Sequence, residues 1–411
     1  MKSRLLDQKA HWMLVANMSP ALSMWLVAVL IARSFGAEAL GLFAFANAVV
    51  TPIMLVIQLP LRTLHITGKE AGSDFQALLG LRLALIAAGL TVVALAGALL
   101  SHSATAAAVM AAVAIYRACD SYCDLLHAGL QRSDQLGSIA FLVASRGLLV
   151  SAVAVSCTMS HWSLEAMTFA MAAVSLITSI TLDTRVCNQY APIWPIKFGM
   201  EFLHFQAGRI LPLSVTQGLN ALLGNVPRYV VQAYGGSHML GLFAVLEHVA
   251  LATSMLINAL GQSMTAPLAR LWNAGHSEEF RQEVKRLLFG SIFIGGTMLA
   301  AVLLCAELVL EHVYGPEFLP AKPFLGVASL TAMAMGVVSA VGYSLTAIGA
   351  FSQQAKLLVA STGVSTIIGV LAVPSFGLGG LYLALLLAAT LQVVWGGCLL
   401  YARVTRGTRH V

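Results

Sequence analysis

The chain of 411 residues is 59% hydrophobic and only 10% charged, with a formal net charge of +6, against roughly 25% charged residues in an ordinary soluble domain. So few charges exclude a water-soluble fold of this length, because they could not cover its surface. The basic surplus does not indicate nucleic acid either, since Lys and Arg gather in short clusters at the ends of apolar runs, as membrane topology requires.

Those runs are about twenty residues long, rich in Leu, Ala, Val and Gly, and show no period-2 alternation. Backbone groups in hydrocarbon must be satisfied within the membrane-spanning structure, so helices are predicted rather than outer-membrane strands. In chain order the predicted spans are residues 11–32, 40–61, 79–100, 105–127, 136–157, 164–183, 207–232, 239–264, 287–308, 322–346, 356–373 and 378–401. The first follows Lys2, Arg4 and Lys9 as a signal n-region would. It runs too long for a cleaved segment and no small-residue cleavage site follows, so a retained span is predicted.

Placing the N-terminus in the cytoplasm puts eighteen of the 23 basic residues on that side: Lys2, Arg4, Lys9, Arg62, Lys69, Arg82, Arg132, Arg185, Lys197, Arg209, Arg270, Arg281, Lys285, Arg286, Lys356, Arg403, Arg406 and Arg409. The opposite side receives Arg33 and Lys322, and Arg117, Arg146 and Arg228 fall inside spans. The bias predicts both termini in the cytoplasm and an even number of spans.

Charges inside a span are costly and usually face a bundle interior or a hydrated cavity. The fourth span carries Arg117, Asp120, Asp124 and Gln131 at steps of three, four and seven, which places them on one helical stripe. Two readings follow. Arg117 and Asp120 form an intrahelical pair that fixes packing, or the stripe lines a cavity. Arg146 lies near mid-depth in the fifth span with no acid within a turn, so its partner is Asp120 or Asp124 on the neighbouring helix, or an anionic ligand.

The longest polar connection, residues 184–206, holds Pro192 and Pro195. It is predicted to be a cytoplasmic linker between an N-terminal six-helix bundle (1–183) and a C-terminal one (207–411). A duplication supports the division. Leu40-Gly41-Leu42-Phe43-Ala44 recurs as Leu240 to Ala244, each copy just after a glycine, Gly36 or Gly236, in a predicted short outer loop. Two halves of like orientation imply a parallel repeat.

In the seventh span Arg228 follows Pro227 in the run Gly224-Asn225-Val226-Pro227-Arg228-Tyr229. Proline removes a backbone donor and disrupts the bond to the carbonyl four residues back, so Pro227 is a candidate gating kink. Glu247 in the next span lies at matching depth, which predicts an Arg228–Glu247 ion pair whose protonation would free the cation. His248 beside it is more simply an interior histidine than a proton carrier. The six cysteines lie mostly inside apolar runs without metal-ligand spacing, so neither zinc nor a disulfide framework is predicted. No phosphate-loop pattern is present.

Three stretches carry a resemblance: Gly36 to Ala48 (GAEALGLFAFANA), Arg117 to Gln131 (RACDSYCDLLHAGLQ), and Asn225 to Ala244 (NVPRYVVQAYGGSHMLGLFA) with Pro267 beyond. With the six-plus-six topology, tiny outer loops and basic linker, the chain resembles the lipid-linked oligosaccharide flippases of polysaccharide biosynthesis. That family lies in the multidrug/oligosaccharidyl-lipid/polysaccharide exporter superfamily with the multidrug and toxin extrusion (MATE) proteins. The resemblance implies an all-α, MATE-like membrane protein of the bacterial cytoplasmic (inner) membrane. It would flip a polyprenyl-diphosphate-linked glycan to the outer leaflet by alternating access.

On that reading Arg117, Arg146 and Arg228 are the candidate substrate-binding cations, because an anionic diphosphate in a hydrated cavity needs cations to stabilise it. Asp120, Asp124 and Glu247 would balance them or carry a coupling proton. No cofactor or metal is expected, only a coupling proton or sodium ion. The expected partners are membrane lipid, the anionic lipid-linked glycan, and polysaccharide polymerase or glycosyltransferases; nucleic acid is not among them. The alternatives are a multidrug exporter of the same fold, which would need an acidic, aromatic cavity, and a membrane enzyme of polysaccharide assembly, which would need a longer outer loop.

Overall fold

Hydrocarbon-compatible sequence without alternation becomes helix along almost the whole chain. A computed structural model describes residues 2–67, 75–101, 103–197 and 200–407. Lys69 and Arg409, both expected to mark the cytoplasmic side, lie outside the described residues. Among the described residues there is no strand.

The helices are α1 (Lys2–Ile57), α2 (Leu61–Thr67), α3 (Phe75–Leu100), α4 (Ala104–Arg132), α5 (Leu136–Met159), α6 (Leu164–Thr178), α7 (Thr184–Asn188), α8 (Met200–Asn273), α9 (Ser277–Leu308), α10 (Lys322–Ala347) and α11 (Phe351–Gly407). A π-helical turn, Ser179–Asp183, joins α6 to α7, and another, Val309–Tyr314, follows α9. Among the described residues, eight helical stretches are long and apolar enough to cross a membrane. Three of them, built on α1, α8 and α11, are broken by glycines at Gly36, Gly236 and Gly377, so each supplies two of the expected spans. α4 adds one more, with 29 residues or about 43 Å at 1.5 Å per residue. This is the expected all-α membrane fold of about twelve transmembrane helices.

Where the sequence predicts short outer loops after the first and seventh spans, the helix instead turns at a single residue. Gly36 has φ 83° and ψ −175°, and Gly236 has φ 68° and ψ −174°. Nothing lies within 4 Å of the Cβ position at Gly236, so glycine is required there by the left-handed backbone and not by crowding. The two copies of Leu-Gly-Leu-Phe-Ala thus follow breaks of nearly the same geometry. The second span also ends earlier than predicted. Proline at position 60 has no N–H to continue the ladder; α1 stops at Ile57, Leu59 takes φ 38°, and α2 begins at Leu61.

The chain forms two compact units, Met1–Leu222 and Leu223–Val411. The first has a core in which Leu59, Leu61, Phe75, Leu79, Leu125, Leu130 and Ile193 are buried. The α1–α5 contact is glued by Ser23, which donates to the Gly147 carbonyl at 2.9 Å and bonds Ser151 Oγ at 2.9 Å, the polar pairing expected between helices in lipid. The core of the second unit gathers Leu268, Phe280, Leu287, Val341, Leu345 and Leu400. Large apolar side chains such as Leu99, Phe289 and Leu304 point outward and are more than two-thirds exposed, as lipid-facing residues are.

Candidate functional site

The first unit concentrates its charge on α4. Ser103 caps the helix, its Oγ accepting from the Ala106 N–H at 3.1 Å, and the 3.6-residue period then aligns the polar residues. The stripe splits into two clusters. In the first, Asp120 is shared by two arginines: Oδ2 lies 3.4 Å from Arg117 Nη1 and Oδ1 lies 3.2 Å from Arg146 Nη2. Arg117 also donates to Asn47 Oδ1 on α1 at 3.0 Å. Asn47, with Tyr116, Phe43, Thr168 and Met171, lines a small cavity among α1, α4 and α6. Arg146 is buried, and its Nη1 has no hydrogen-bond partner.

In the second cluster Asp124 is also shared, at 3.0 Å from Arg62 Nη1 and 3.5 Å from Arg82 Nη2. Arg62 further donates twice to Gln131 Oε1, at 3.2 and 2.7 Å. Arg82 is 0% exposed. It donates to Ser121 Oγ at 3.1 Å and to the carbonyls of Gln58 and Leu59, so it satisfies backbone acceptors left open where α1 ends.

A third contact lies beside these. His127 Nε2 is 2.8 Å from Asp183 Oδ1, with side chains only 5% and 1% exposed. Next to it Cys123 donates to Ser179 Oγ at 3.2 Å, and Tyr122 and Thr184 share a hydroxyl–hydroxyl bond at 3.0 Å. These contacts reach into the π-helical turn, a feature often found at functional sites.

The second unit holds a simpler arrangement. Arg228 Nε lies 2.8 Å from Glu247 Oε2, and Arg228 Nη1 donates to Asn225 Oδ1 at 2.8 Å. The helical backbone continues through Pro227, and the break in α8 comes at Gly236. His248 Nδ1 and Tyr314 Oη lie 3.2 Å apart, with rings stacked at 6.0 Å.

The structure therefore forms the intrahelical Arg117–Asp120 pair, sets Arg146 against Asp120 and not Asp124, and pairs Arg228 with Glu247. It separates Asp124 from the Asp120 cluster. Arg62 and Arg82, read from sequence only as markers of the cytoplasmic side, join the charge network of α4. Position 82 lies three residues inside the predicted third span, and that was the signal for a buried arginine. Sequence reasoning also missed His127 and Asp183. His127 continues the stripe at three residues from Asp124 and four from Gln131, a spacing that could have drawn it in.

No protein-family model matches the chain. It is 22% identical over 391 residues to the capsular polysaccharide biosynthesis protein CapF of Staphylococcus aureus, covering 93% of this chain and 96% of that one. Among solved structures, the lipid II flippase MurJ in an inward closed conformation matches with a TM-score of 0.69 and 13% identity, over 94% of this chain and 86% of that one. An inward-facing multidrug resistance transporter of the MATE family matches with a TM-score of 0.66 and 13% identity, over 96% and 99%. The fold of this multi-pass α-helical membrane protein is that of the MOP-superfamily transporters.

Proposed function

We propose, on the premise of that fold, that the protein flips a polyprenyl-diphosphate-linked oligosaccharide from the cytoplasmic to the outer leaflet by alternating access, for surface polysaccharide biosynthesis. The observation that carries this reading is the sharing of Asp120 between Arg117 and Arg146. One carboxylate facing two guanidiniums leaves a positive charge unbalanced within membrane-spanning helices, and an anionic headgroup is the ligand that would balance it. The one-third-exposed Arg117 and the adjoining cavity give such a group a way in. A multidrug exporter for organic cations would need the opposite imbalance.

In this reading Arg117, Arg146 and Arg228 act on the diphosphate, and Asp120, Asp124 and Glu247 balance them or take a coupling proton. Pro227 and the Gly236 break lie in the helix whose bending would open or close the path. Residues 184–206 would link the two six-helix bundles. The chain would reside in the bacterial cytoplasmic membrane with both termini inside, receiving its glycan from glycosyltransferases and passing it to a polymerase.

The experiment is deletion of the gene followed by analysis of lipid-linked sugars and surface polysaccharide. A glycan-lipid is expected to accumulate on the inner leaflet and surface polysaccharide to fall. Plasmid-borne R117A, R146A and R228A variants, checked for membrane insertion, should fail to restore it. Normal polysaccharide in the deletant, or full activity of all three variants, overturns the reading.

A further inference from the structure

A basic corner stands at the end of the first unit where α1 stops, α2 and α3 begin and α4 finishes. On the charge bias this is the cytoplasmic end. Arg62 on α2 reaches across to Gln131 and Asp124 of α4. Arg132, the last residue of α4, reaches back to the His65 carbonyl of α2 at 3.4 Å. The two guanidiniums therefore flank one seam between α2 and α4. Behind them Arg82 is fully buried, and its Nε–H has no acceptor. Against these three arginines the corner sets Asp124 and the exposed Asp134, which leaves a positive surplus.

That surplus can be reached from outside. Arg62 is one-third exposed and Arg132 is exposed. A guanidinium carries more N–H donors than either side chain uses: Arg62 engages three and Arg132 one. The segment after α7 is pinned to the same corner. Ile193 is buried in the core with Phe75. Gln76 on α3 donates to the Trp194 carbonyl at 2.8 Å, and its own carbonyl accepts from the Lys197 N–H at 3.4 Å. A Cβ at Gly129 of α4 would lie 2.8 Å from that of Ala191. Ala191 and Ile193 are buried, while the alternating Tyr190, Pro192 and Trp194 are exposed. Outward Trp and Tyr beside a lysine mark the headgroup layer of a membrane, so the arginines of the corner lie at phosphate depth.

We propose that the Arg62–Arg132 seam, with Arg82 behind it, binds the phosphodiester headgroup of an anionic phospholipid from the surrounding leaflet. Basic pockets between helices at the cytoplasmic face take such headgroups, and phosphate oxygens match the fork of a guanidinium. The acyl chains need no cavity, because they stay in the bilayer. This lipid is a fixed neighbour and not cargo, so the inference holds whether or not the chain moves a glycan.

The test is native mass spectrometry of the full chain, released from detergent with phosphatidylglycerol or with phosphatidylcholine of the same acyl chains. The wild type should retain phosphatidylglycerol in preference. An arginine near a membrane surface contributes about fivefold to anionic-lipid affinity, so Arg62→Ala with Arg132→Ala should weaken retention by about thirtyfold. Arg62→Gln with Arg132→Gln keeps polar bonding across the seam and should show the same loss, which guards against a folding defect in the alanine variant. Arg281→Ala with Arg286→Ala removes two arginines from the surface of the second unit and should leave retention unchanged. Equal retention of the two lipids by the wild type, or an undiminished preference in both seam variants, overturns the inference. An equal loss in the Arg281 and Arg286 variant overturns it too, by reducing the effect to bulk charge. So does displacement of phosphatidylglycerol by equimolar inorganic phosphate or polyprenyl diphosphate, which would make the corner a soluble-phosphate site or a station on the cargo path.

Discussion

In the first unit each acid of α4 serves two arginines, Asp120 holding Arg117 and Arg146 and Asp124 holding Arg62 and Arg82. In the second unit Arg228 and Glu247 pair one to one, with Asn225 as a neutral third member. The difference separates two uses of buried charge. A one-to-one pair is neutral by itself, and replacing such a pair with apolar residues of like volume often leaves stability unchanged or improved. A shared acid leaves a cation whose cost must be met by backbone carbonyls, by a further acid or by a ligand. Arg82 draws on the first of these, Arg146 stands near the second in Asp183, and the third is the role proposed for a diphosphate.

The comparison is broken most severely at Asp124. Changing it to Ala leaves Arg82, 0% exposed, with no carboxylate partner, and breaking a buried pair in this way costs about 3–5 kcal/mol. Thermal unfolding of the purified protein should show a loss of that order. Arg62→Ala should cost no more than about 1 kcal/mol, because that side chain is one-third exposed and solvent screens its pair. An unchanged melting temperature in Asp124→Ala would mean that Ser121 and the Gln58 and Leu59 carbonyls suffice for Arg82, and that sharing the acid is incidental.

The second unit offers the sharper contrast. Glu247→Met alone strands Arg228 and should destabilise the protein, whereas Arg228→Met with Glu247→Met should recover most of the loss. The coupling energy of that cycle is expected at about 0.5–3 kcal/mol. The same cycle on Asp120 and Arg146 should not close in this way, because Arg117 remains as a claimant on the acid. Equal coupling in both cycles would erase the distinction between the units.

Much of this arrangement was legible in the sequence, and the rest was hidden for identifiable reasons. Hydropathy placed the helices. The steps of three and four along α4 paired Arg117 with Asp120, and matched depth paired Arg228 with Glu247. The Leu-Gly-Leu-Phe-Ala repeat marked two glycine breaks that prove nearly alike in φ and ψ. The partners of Asp124 were not legible, because they depend on the stop at Pro60 that places Arg62 at the start of α2, beside α4. Asp183, the partner of His127, was hidden by a change of period: the π-helical turn shifts the register in which α6 faces α4, and a helical projection at 100° per residue does not follow it.

The smallest expected effect lies beside the Arg62 cluster, on α2. His65 is buried against Phe75, with ring centroids 5.0 Å apart. Its backbone carbonyl accepts from Arg132 Nη1 at 3.4 Å. Burial first, and then the positive charge of Arg132, hold its pKa below the ordinary 6.5. The sign follows from which state takes the proton. Above pH 6.5 both folded and unfolded chains hold the ring neutral, and its contribution to stability is fully present. As the pH falls below that value the unfolded chain gains a proton that the folded chain refuses, so α2 is destabilised by acid. Hydrogen exchange over residues 61–67, corrected for the intrinsic rate, should show protection falling between pH 7 and pH 5 by less than about tenfold per unit. His65→Phe keeps an aromatic partner for Phe75 and should abolish the dependence. If the acid sensitivity survives that substitution, it arises elsewhere in the first unit, and Asp124 with its two arginines becomes the place to seek it.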